Sequence, residues 1–79
     1  MQIGRDEVLS VIRDSEMMDD VSALRDDVAL TEQGLDSLGM FNVLLLLAER
    51  HSIEIPDPDA DKLRTISQII EYFNQRLPG

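Results

Sequence analysis

The sequence predicts an all-α domain, and three observations lead to this prediction. Apolar residues recur with helical spacing near both ends of the chain, a long apolar segment lies between them, and only one short run alternates like a strand. A lone strand has no partner with which to form a sheet. With 79 residues, the chain predicts one domain over residues 1–79, near the lower size limit for a core without disulfides or metals.

The first helix is predicted from about Gly4 to Met17, where apolar residues are interspersed with charged ones in an amphipathic pattern. The segment from Met18 to Gly34 is predicted to be a long irregular connection, because acidic pairs and turn-forming residues interrupt any regular period. A short helical turn within it is compatible with the sequence. Such a loop needs apolar residues to hold it, and the candidates are Val21, Leu24, Val28 and Leu30.

The second helix is predicted to follow Asp36 as its N-cap, to cover the apolar segment Leu38 to Ala48 and to end at about His51. Nearly every face of this helix is apolar, and a small helical domain cannot bury all of them. Two explanations stay open at this point. The helix is enclosed on most sides, or part of its surface meets a partner or cargo.

The segment that follows contains the strand-like run Ile53 to Ile55, which predicts an extended loop, and then strong helix breakers from Pro56 to Asp59. One short helical turn is predicted over Ala60 to Leu63.

The last helix has the clearest pattern. Thr65 and Gln68 have the spacing of a capping box, and Pro78 with Gly79 ends the helix. Its apolar residues recur at helical intervals: Ile66, Ile69, Ile70, Phe73 and Leu77.

Composition excludes several functions. Sixteen acidic and seven basic residues give a formal charge of −9, which repels nucleic-acid phosphates and anionic lipid but attracts a basic protein surface. The absence of cysteine excludes a thiol nucleophile, a thiolate metal site and disulfides. We find no export signal and no apolar run near the roughly 20 residues of a membrane span. We expect a cytoplasmic monomer with no nucleic-acid or membrane partner, no metal and no catalytic residue.

The segment Gly34 to Leu38 places the hydroxyl of Ser37 at the entry to the second helix, after a turn that glycine permits. An isolated serine there is usually just a favourable first-turn residue. The functional interpretation is that Ser37 carries a phosphodiester beside the unpaired amides of the helix terminus. Asp36 would then cap the helix and present a carboxylate to the modifying enzyme.

The string GLDSL resembles the phosphopantetheine attachment motif of the acyl carrier protein family. The stretch IEIPDPDADKLRTI, residues 53–66, resembles the same family's Ile-Pro-Asp loop, acidic turn and Thr-led last helix, and the resemblance runs from about Glu7 to Asn74. It implies an acyl-carrier-like four-helix bundle with three longer helices, one short helix and a long loop between helices one and two. It also implies covalent 4′-phosphopantetheine on Ser37, with Asp36 and Leu38 flanking it in the motif.

The partners implied by the resemblance are a phosphopantetheinyl transferase that uses coenzyme A, and acyl-transferring, condensing or tailoring enzymes. Such a chain carries intermediates and is not an enzyme. The resemblance further implies that acyl chains enter the apolar space between helices two and three. The candidate lining residues, for each of which core packing is the alternative, are Phe41, Leu45, Leu47, Ile55, Ala60, Leu63 and Ile66.

Helix two departs from fatty-acid-synthesis members of the family, which display several acidic docking residues there. Gly39, Asn42 and Ala48 occupy the corresponding positions, which favours an apolar anchor and a specialised partner set in a polyketide, aminoacyl or other secondary pathway. We expect Met40, Phe41 and Leu45 to be exposed. The predicted docking residues are Met40, Phe41, Asn42, Leu45, Glu49 and Asp57.

Two further departures concern packing. Gln33 and His51 stand where the family generally has apolar residues, and His51 is expected to be a capping or surface group.

Two alternatives to an acyl carrier stay open. One is a peptidyl or aminoacyl carrier of nonribosomal synthesis, against which the stretch Asp57 to Lys62 argues because it resembles the acyl type. The other is a small helical adaptor that binds a partner helix through helix two.

Overall fold

The computed structural model describes residues 2–14 and 21–77 and shows four α-helices and one 3₁₀ turn in this part of the chain. They are α1 (Arg5–Asp14), the 3₁₀ turn (Leu30–Gln33), α2 (Ser37–His51), α3 (Asp57–Ala60) and α4 (Ile66–Arg76). Among these described residues there is no strand, and the run from Ile53 to Ile55 is extended without pairing. The all-helical prediction is confirmed.

The three longer helices each bury one face in a common apolar core. Val8, Leu9, Val11 and Ile12 of α1 are buried, as the amphipathic pattern predicts. The buried face of α4 contains Ile66, Ile69 and Phe73, whereas Ile70 and Leu77 are only partly buried. The last three residues of the predicted first helix, residues 15–17, lie outside the described residues, as do Pro78 and Gly79 at the end of the last one.

The helix termini follow the predicted capping chemistry. Thr65 and Gln68 form a complete capping box at the start of α4, with the Gln68 amide donating to Thr65 Oγ1 at 3.1 Å. Asp36 is the N-cap of α2. At the other end of α2, Ser52 adopts a left-handed conformation with φ 55° and donates its amide to Ala48 and Glu49 carbonyls. This single left-handed residue ends the helix and starts the extended segment.

The position of the short helix differs from the prediction. The sequence predicts a turn over Ala60 to Leu63 after a run of breakers, whereas α3 comprises Asp57–Ala60, inside the supposed breakers. The reason is that proline breaks a helix only beyond its first turn, and Pro58 lies at one of the first two positions of α3. Asp57 and Asp59 lie in that same turn, where the helix dipole favours acidic side chains.

The long connection before α2 is held where the sequence predicts. Val21, Leu24 and Leu30 are buried, and Val28 is partly buried. The predicted helical turn is present as the 3₁₀ turn. The Leu30 amide donates to the Arg64 carbonyl at 2.9 Å, which joins the connection to the segment before α4.

Candidate functional site

Ser37 is the first residue of α2, and its exposed side chain lies at the point where the long connection ends. Gly34 makes the turn into this point with φ 108°, a conformation that disfavours a side chain. Two residues later the Asp36 carboxylate accepts from the Gly39 amide at 2.6 Å and caps the helix. Because Leu35 is 2% exposed, the backbone just before the serine is anchored in the core.

A second set of contacts holds the connection that presents Ser37. Arg5 of α1 donates through Nε to the Asp26 carboxylate at 2.6 Å and through Nη2 to the Leu24 carbonyl at 2.7 Å. The Asp26 carbonyl accepts from the Ser67 amide in α4 at 3.1 Å. These hydrogen bonds therefore hold the connection to both α1 and α4.

Gln33 explains one departure from the family pattern. Its side-chain oxygen accepts from the Arg25 amide at 2.7 Å, and its side-chain nitrogen donates to the Arg25 and Val28 carbonyls, each at 2.9 Å. These three bonds satisfy backbone groups that no helix or sheet satisfies here. A polar residue thus closes the loop in place of an apolar one.

Beside Ser37 lies a cavity of about 320 Å³ between α2, α3 and the segment before α4. A larger cavity of about 510 Å³ continues along α2 towards the extended segment. Phe41, Leu44 and Ala60 line both cavities, so the two are adjacent.

The sequence-predicted lining residues divide into two groups. Phe41, Leu45, Ile55, Ala60 and Leu63 line one or both cavities. The other two, Leu47 and Ile66, are 0% exposed and belong to the core.

Sequence reasoning missed Thr31, Leu44, Asp61 and Arg64, which also line the smaller cavity. They come from three separated segments, and no local pattern brings them together. The consequence is a polar rim of one hydroxyl, one carboxylate and one guanidinium around the cavity that Ser37 borders.

The exposed surface of α2 differs from the prediction at one residue. Met40 is 8% exposed and packs in the core, so its predicted exposure is wrong. Phe41 and Leu45 are exposed as expected, at 53% and 45%, and Leu38 is exposed at 76%. Spaced three and four residues apart, these side chains form an apolar stripe on one face of α2, defined as Leu38, Phe41 and Leu45. Beside it Asn42 is half-buried, while Glu49 is exposed; Asp57 on α3 is also exposed.

His51 is not the surface group that the sequence suggests. Its side chain is 6% exposed, its Nε2 contacts the Glu7 carboxylate, and its ring lies edge-on to Phe73 with centroids 6.2 Å apart. The expectation is wrong because α1 and α4 pack around the last turn of α2 and enclose it.

Polar contacts from α4 reach the short helix beside the cavities. Tyr72 donates its hydroxyl to the Asp59 carboxylate at 2.8 Å, and the Arg76 guanidinium lies 3.5 Å over the Tyr72 ring. Burial raises the pKa of the Tyr72 hydroxyl, and the hydrogen bond to Asp59 raises it further, while the charge of Arg76 acts in the opposite direction.

Comparison with known proteins identifies the domain. The model of the family described as "Phosphopantetheine attachment site" matches residues 6–73. An acyl carrier protein of Campylobacter jejuni is 30% identical over 69 residues, which cover 87% of this chain and 90% of that protein. The chain belongs to the acyl carrier protein family.

A second relative is the mitochondrial acyl carrier protein of Neurospora crassa. It is 35% identical over 78 residues, covering 90% of this chain. The carrier spans 57% of that relative's length.

Family membership establishes covalently attached 4′-phosphopantetheine as the cofactor and establishes the chain as a carrier protein rather than an enzyme. It also implies a phosphopantetheinyl transferase and acyl-handling enzymes as partners. No helix among the described residues of the carrier is long and apolar enough to cross a membrane. Within the same part of the chain, no group of three or more candidate ligands is arranged to hold a metal ion.

The residues of the carrier fit this cofactor at the start of α2. Among the described residues, no side chain forms a hydrogen bond with the Ser37 hydroxyl, which is exposed and open to a transferase. The hydroxyl also borders the smaller cavity, so an attached arm has apolar surface from Met40, Phe41 and Leu44 beside it.

Proposed function

We propose that Ser37 is the residue that carries the arm and that the chain delivers acyl intermediates to a specialised set of biosynthetic enzymes. The single observation that carries this proposal is the position of Ser37. It is the exposed first residue of α2, the longest of the described helices, and borders a cavity beside the apolar stripe. When attached, the arm supplies a thiol that holds the cargo as a thioester.

Attachment needs a base, and among the described residues no side chain forms a hydrogen bond with the Ser37 hydroxyl. The Ser37 Oγ–P bond forms as the pyrophosphate bond of coenzyme A breaks, adenosine 3′,5′-bisphosphate leaves, and the transferase takes the serine proton. The nearest carboxylate in sequence, on Asp36, is already engaged in capping Gly39. The serine is therefore a nucleophile only in the active site of the transferase.

The work of the carrier is tethering. An arm of fixed reach raises the effective concentration of the cargo at each enzyme that the carrier visits. The fold supports tethering because it holds the attachment point in place. The connection before Ser37 is bonded to α1 by Arg5 and to α4 through Asp26.

The apolar stripe supports the specialised partner set. Large apolar side chains that enter a partner's pocket dominate docking energetics, whereas exposed charge pairs contribute about 0 to 1 kcal/mol each. Leu38, Phe41 and Leu45 present such side chains beside Ser37, and Glu49 adds one exposed carboxylate. We propose a polyketide or other secondary pathway over general fatty-acid synthesis, with Asn42 and Asp57 at the rim of the docking surface.

A monomeric, cytoplasmic carrier stays a prediction, and one relative is named mitochondrial.

The experiment that tests the attachment site is the intact mass of the protein after incubation with coenzyme A and a promiscuous phosphopantetheinyl transferase. We expect a gain of one phosphopantetheine in the wild type and none in Ser37→Ala. A gain that persists in Ser37→Ala, or no gain in folded wild type, would contradict the proposal.

A second experiment tests the class of cargo. An aminoacyl carrier of nonribosomal synthesis uses a similar serine, but the relatives named above are acyl carriers. We expect the modified chain to accept acyl groups from acyl transferases and not to accept amino acids from adenylating enzymes. If general fatty-acid synthase enzymes load and elongate this chain as fast as their usual carrier, the specialised pathway is excluded.

A further inference from the structure

The short helix α3 forms a wall of both cavities, and only Ala60 of its four residues packs, partly buried, against the apolar core. None of its residues is fully buried, and a helix of four residues is far too short to be stable alone. Ala60 lines both cavities, and Asp57 lines the larger one. Any outward movement of α3 therefore enlarges the space between α3 and α2.

The polar side-chain contacts that join α3 to α4 converge on Asp59. Its Oδ2 accepts the Tyr72 hydroxyl at 2.8 Å and lies 3.7 Å from Nη2 of Arg76. Arg76 in turn stacks on the Tyr72 ring at 3.5 Å and donates through Nη1 to the Tyr72 carbonyl at 3.2 Å. The three side chains thus form one connected group that spans from α3 to the end of α4.

We propose that Asp59, Tyr72 and Arg76 form a latch that holds α3 closed and limits how deeply an acyl chain enters between α2 and α3. With the latch closed, a chain lies in the two existing cavities. Outward movement of α3 breaks the bond between Tyr72 and Asp59 and admits the chain more deeply. A longer chain has more apolar surface to bury and gains more from this movement, so the latch acts chiefly on long cargo.

The cargo part of this inference rests on the proposed function, because it requires an acyl group on the arm of Ser37. The latch part does not, since it concerns the unmodified chain. Two measurements separate the two parts.

The first measurement is hydrogen exchange of the α3 amides in the unmodified protein. Tyr72→Phe removes the hydroxyl and keeps the ring under Arg76, and we expect it to raise exchange at Asp59 and Ala60 by about tenfold. Asp59→Ala removes the acceptor from the other side, together with the contact to Arg76 and a favourable charge in the first turn of α3, so it should raise exchange at least as much. If Tyr72 acts through its bond to Asp59, the double variant exchanges no faster than Asp59→Ala alone. The matched control is Glu71→Gln, an exposed neighbour of Tyr72 whose side chain bonds only within α4, to Gln75.

The second measurement is protection of the thioester from hydroxylamine in protein loaded with hexanoyl or decanoyl groups. We expect the ratio of decanoyl to hexanoyl protection to rise severalfold in Tyr72→Phe and to stay at the wild-type value in Glu71→Gln.

Unchanged α3 exchange in folded Tyr72→Phe and Asp59→Ala would overturn the latch. Raised exchange with an unchanged protection ratio would overturn its effect on long cargo. A wild-type chain that takes no arm would instead overturn the proposed function, and the exchange measurement would still decide the latch.

Discussion

His51 of α2 and Glu7 of α1 meet across the helix interface, with the imidazole Nε2 in contact with the Glu7 carboxylate and the imidazole side chain only 6% exposed. Arg50 lies 3.8 Å from the same carboxylate. The contact supplies a polar partner to a ring that otherwise packs on Phe73. A buried polar group with a partner contributes little net stability, but losing the partner is costly.

The first prediction follows from that asymmetry. Glu7→Ala should lower the free energy of unfolding by about 1 to 2 kcal/mol, because His51 is left buried without its partner. Asp6→Ala is the control. It removes a negative charge from an exposed position in the same first turn of α1, and so measures the loss of the favourable interaction with the helix dipole alone.

A His51→Phe background tests whether the two residues are coupled. This variant keeps an aromatic ring beside Phe73 and needs no polar partner, so adding Glu7→Ala to it should lower the free energy of unfolding by no more than Asp6→Ala does. Urea unfolding of the four variants measures these differences. Equal costs of Glu7→Ala in both backgrounds would show that the two residues are not coupled.

The second prediction concerns Gln33, whose three hydrogen bonds close the loop before the 3₁₀ turn. Gln33→Leu restores the apolar residue typical of the family and should nevertheless destabilise the fold by about 1 kcal/mol, because backbone groups of Arg25 and Val28 lose their partners.

Gln33→Glu is the matched comparison. It keeps an acceptor for the Arg25 amide but directs a carboxylate at two carbonyl oxygens, so it should be the worse of the two changes. The urea midpoints rank them, and a midpoint for Gln33→Leu above that of the wild type would contradict the role of the glutamine.

The three longer helices could be predicted from the sequence because their signals are local. Thr65 and Gln68 form their capping box within one turn, and Asp36 caps α2 through an amide three residues away. The turn before α2 could be predicted for the same reason, because it depends on one residue. Gly34 adopts the left-handed conformation that its position between the 3₁₀ turn and α2 requires.

The features that could not be predicted from the sequence depend on contacts between distant segments. In α2 apolar residues occupy nearly every face, so the sequence does not indicate which face is inward, and the predicted exposure of Met40 is wrong. The environment of His51 is set by Glu7, 44 residues away. Arg64 lines the cavity beside Ser37 from a separate segment, which the Leu30 amide joins to the connection before α2.

The third prediction compares two glutamine substitutions on the exposed side of α2. Leu45→Gln removes part of the apolar stripe, and Glu49→Gln removes an exposed carboxylate one turn later. If apolar contact dominates docking, Leu45→Gln should lower kcat/KM of phosphopantetheine transfer to Ser37 by about tenfold. Glu49→Gln should change it by no more than about twofold.

Both variants keep a good helix former, so urea midpoints should stay close to that of the wild type and exclude unfolding as the cause. The opposite order of effects would indicate that this carrier docks through charge.

The last prediction concerns pH. The raised pKa of Tyr72 means that the folded chain retains the hydroxyl proton at pH values where the unfolded chain, titrating near 10.0, releases it. The stability that Tyr72 contributes is therefore complete below this pH and falls as the pH rises through the folded-state pKa. Loss of the proton also removes the donor to Asp59 and places two negative charges together.

Tyr72→Phe has no such proton, so the difference in free energy of unfolding between wild type and variant should shrink between neutral pH and a pH above 10.0. The comparison cancels the titration of Lys62, the one lysine in the sequence. Because Tyr72 is also the only tyrosine, tyrosinate absorbance reports its titration directly, and it should shift to lower pH in urea. Identical titration in folded and unfolded protein would show that neither burial nor the Asp59 hydrogen bond raises the pKa of Tyr72.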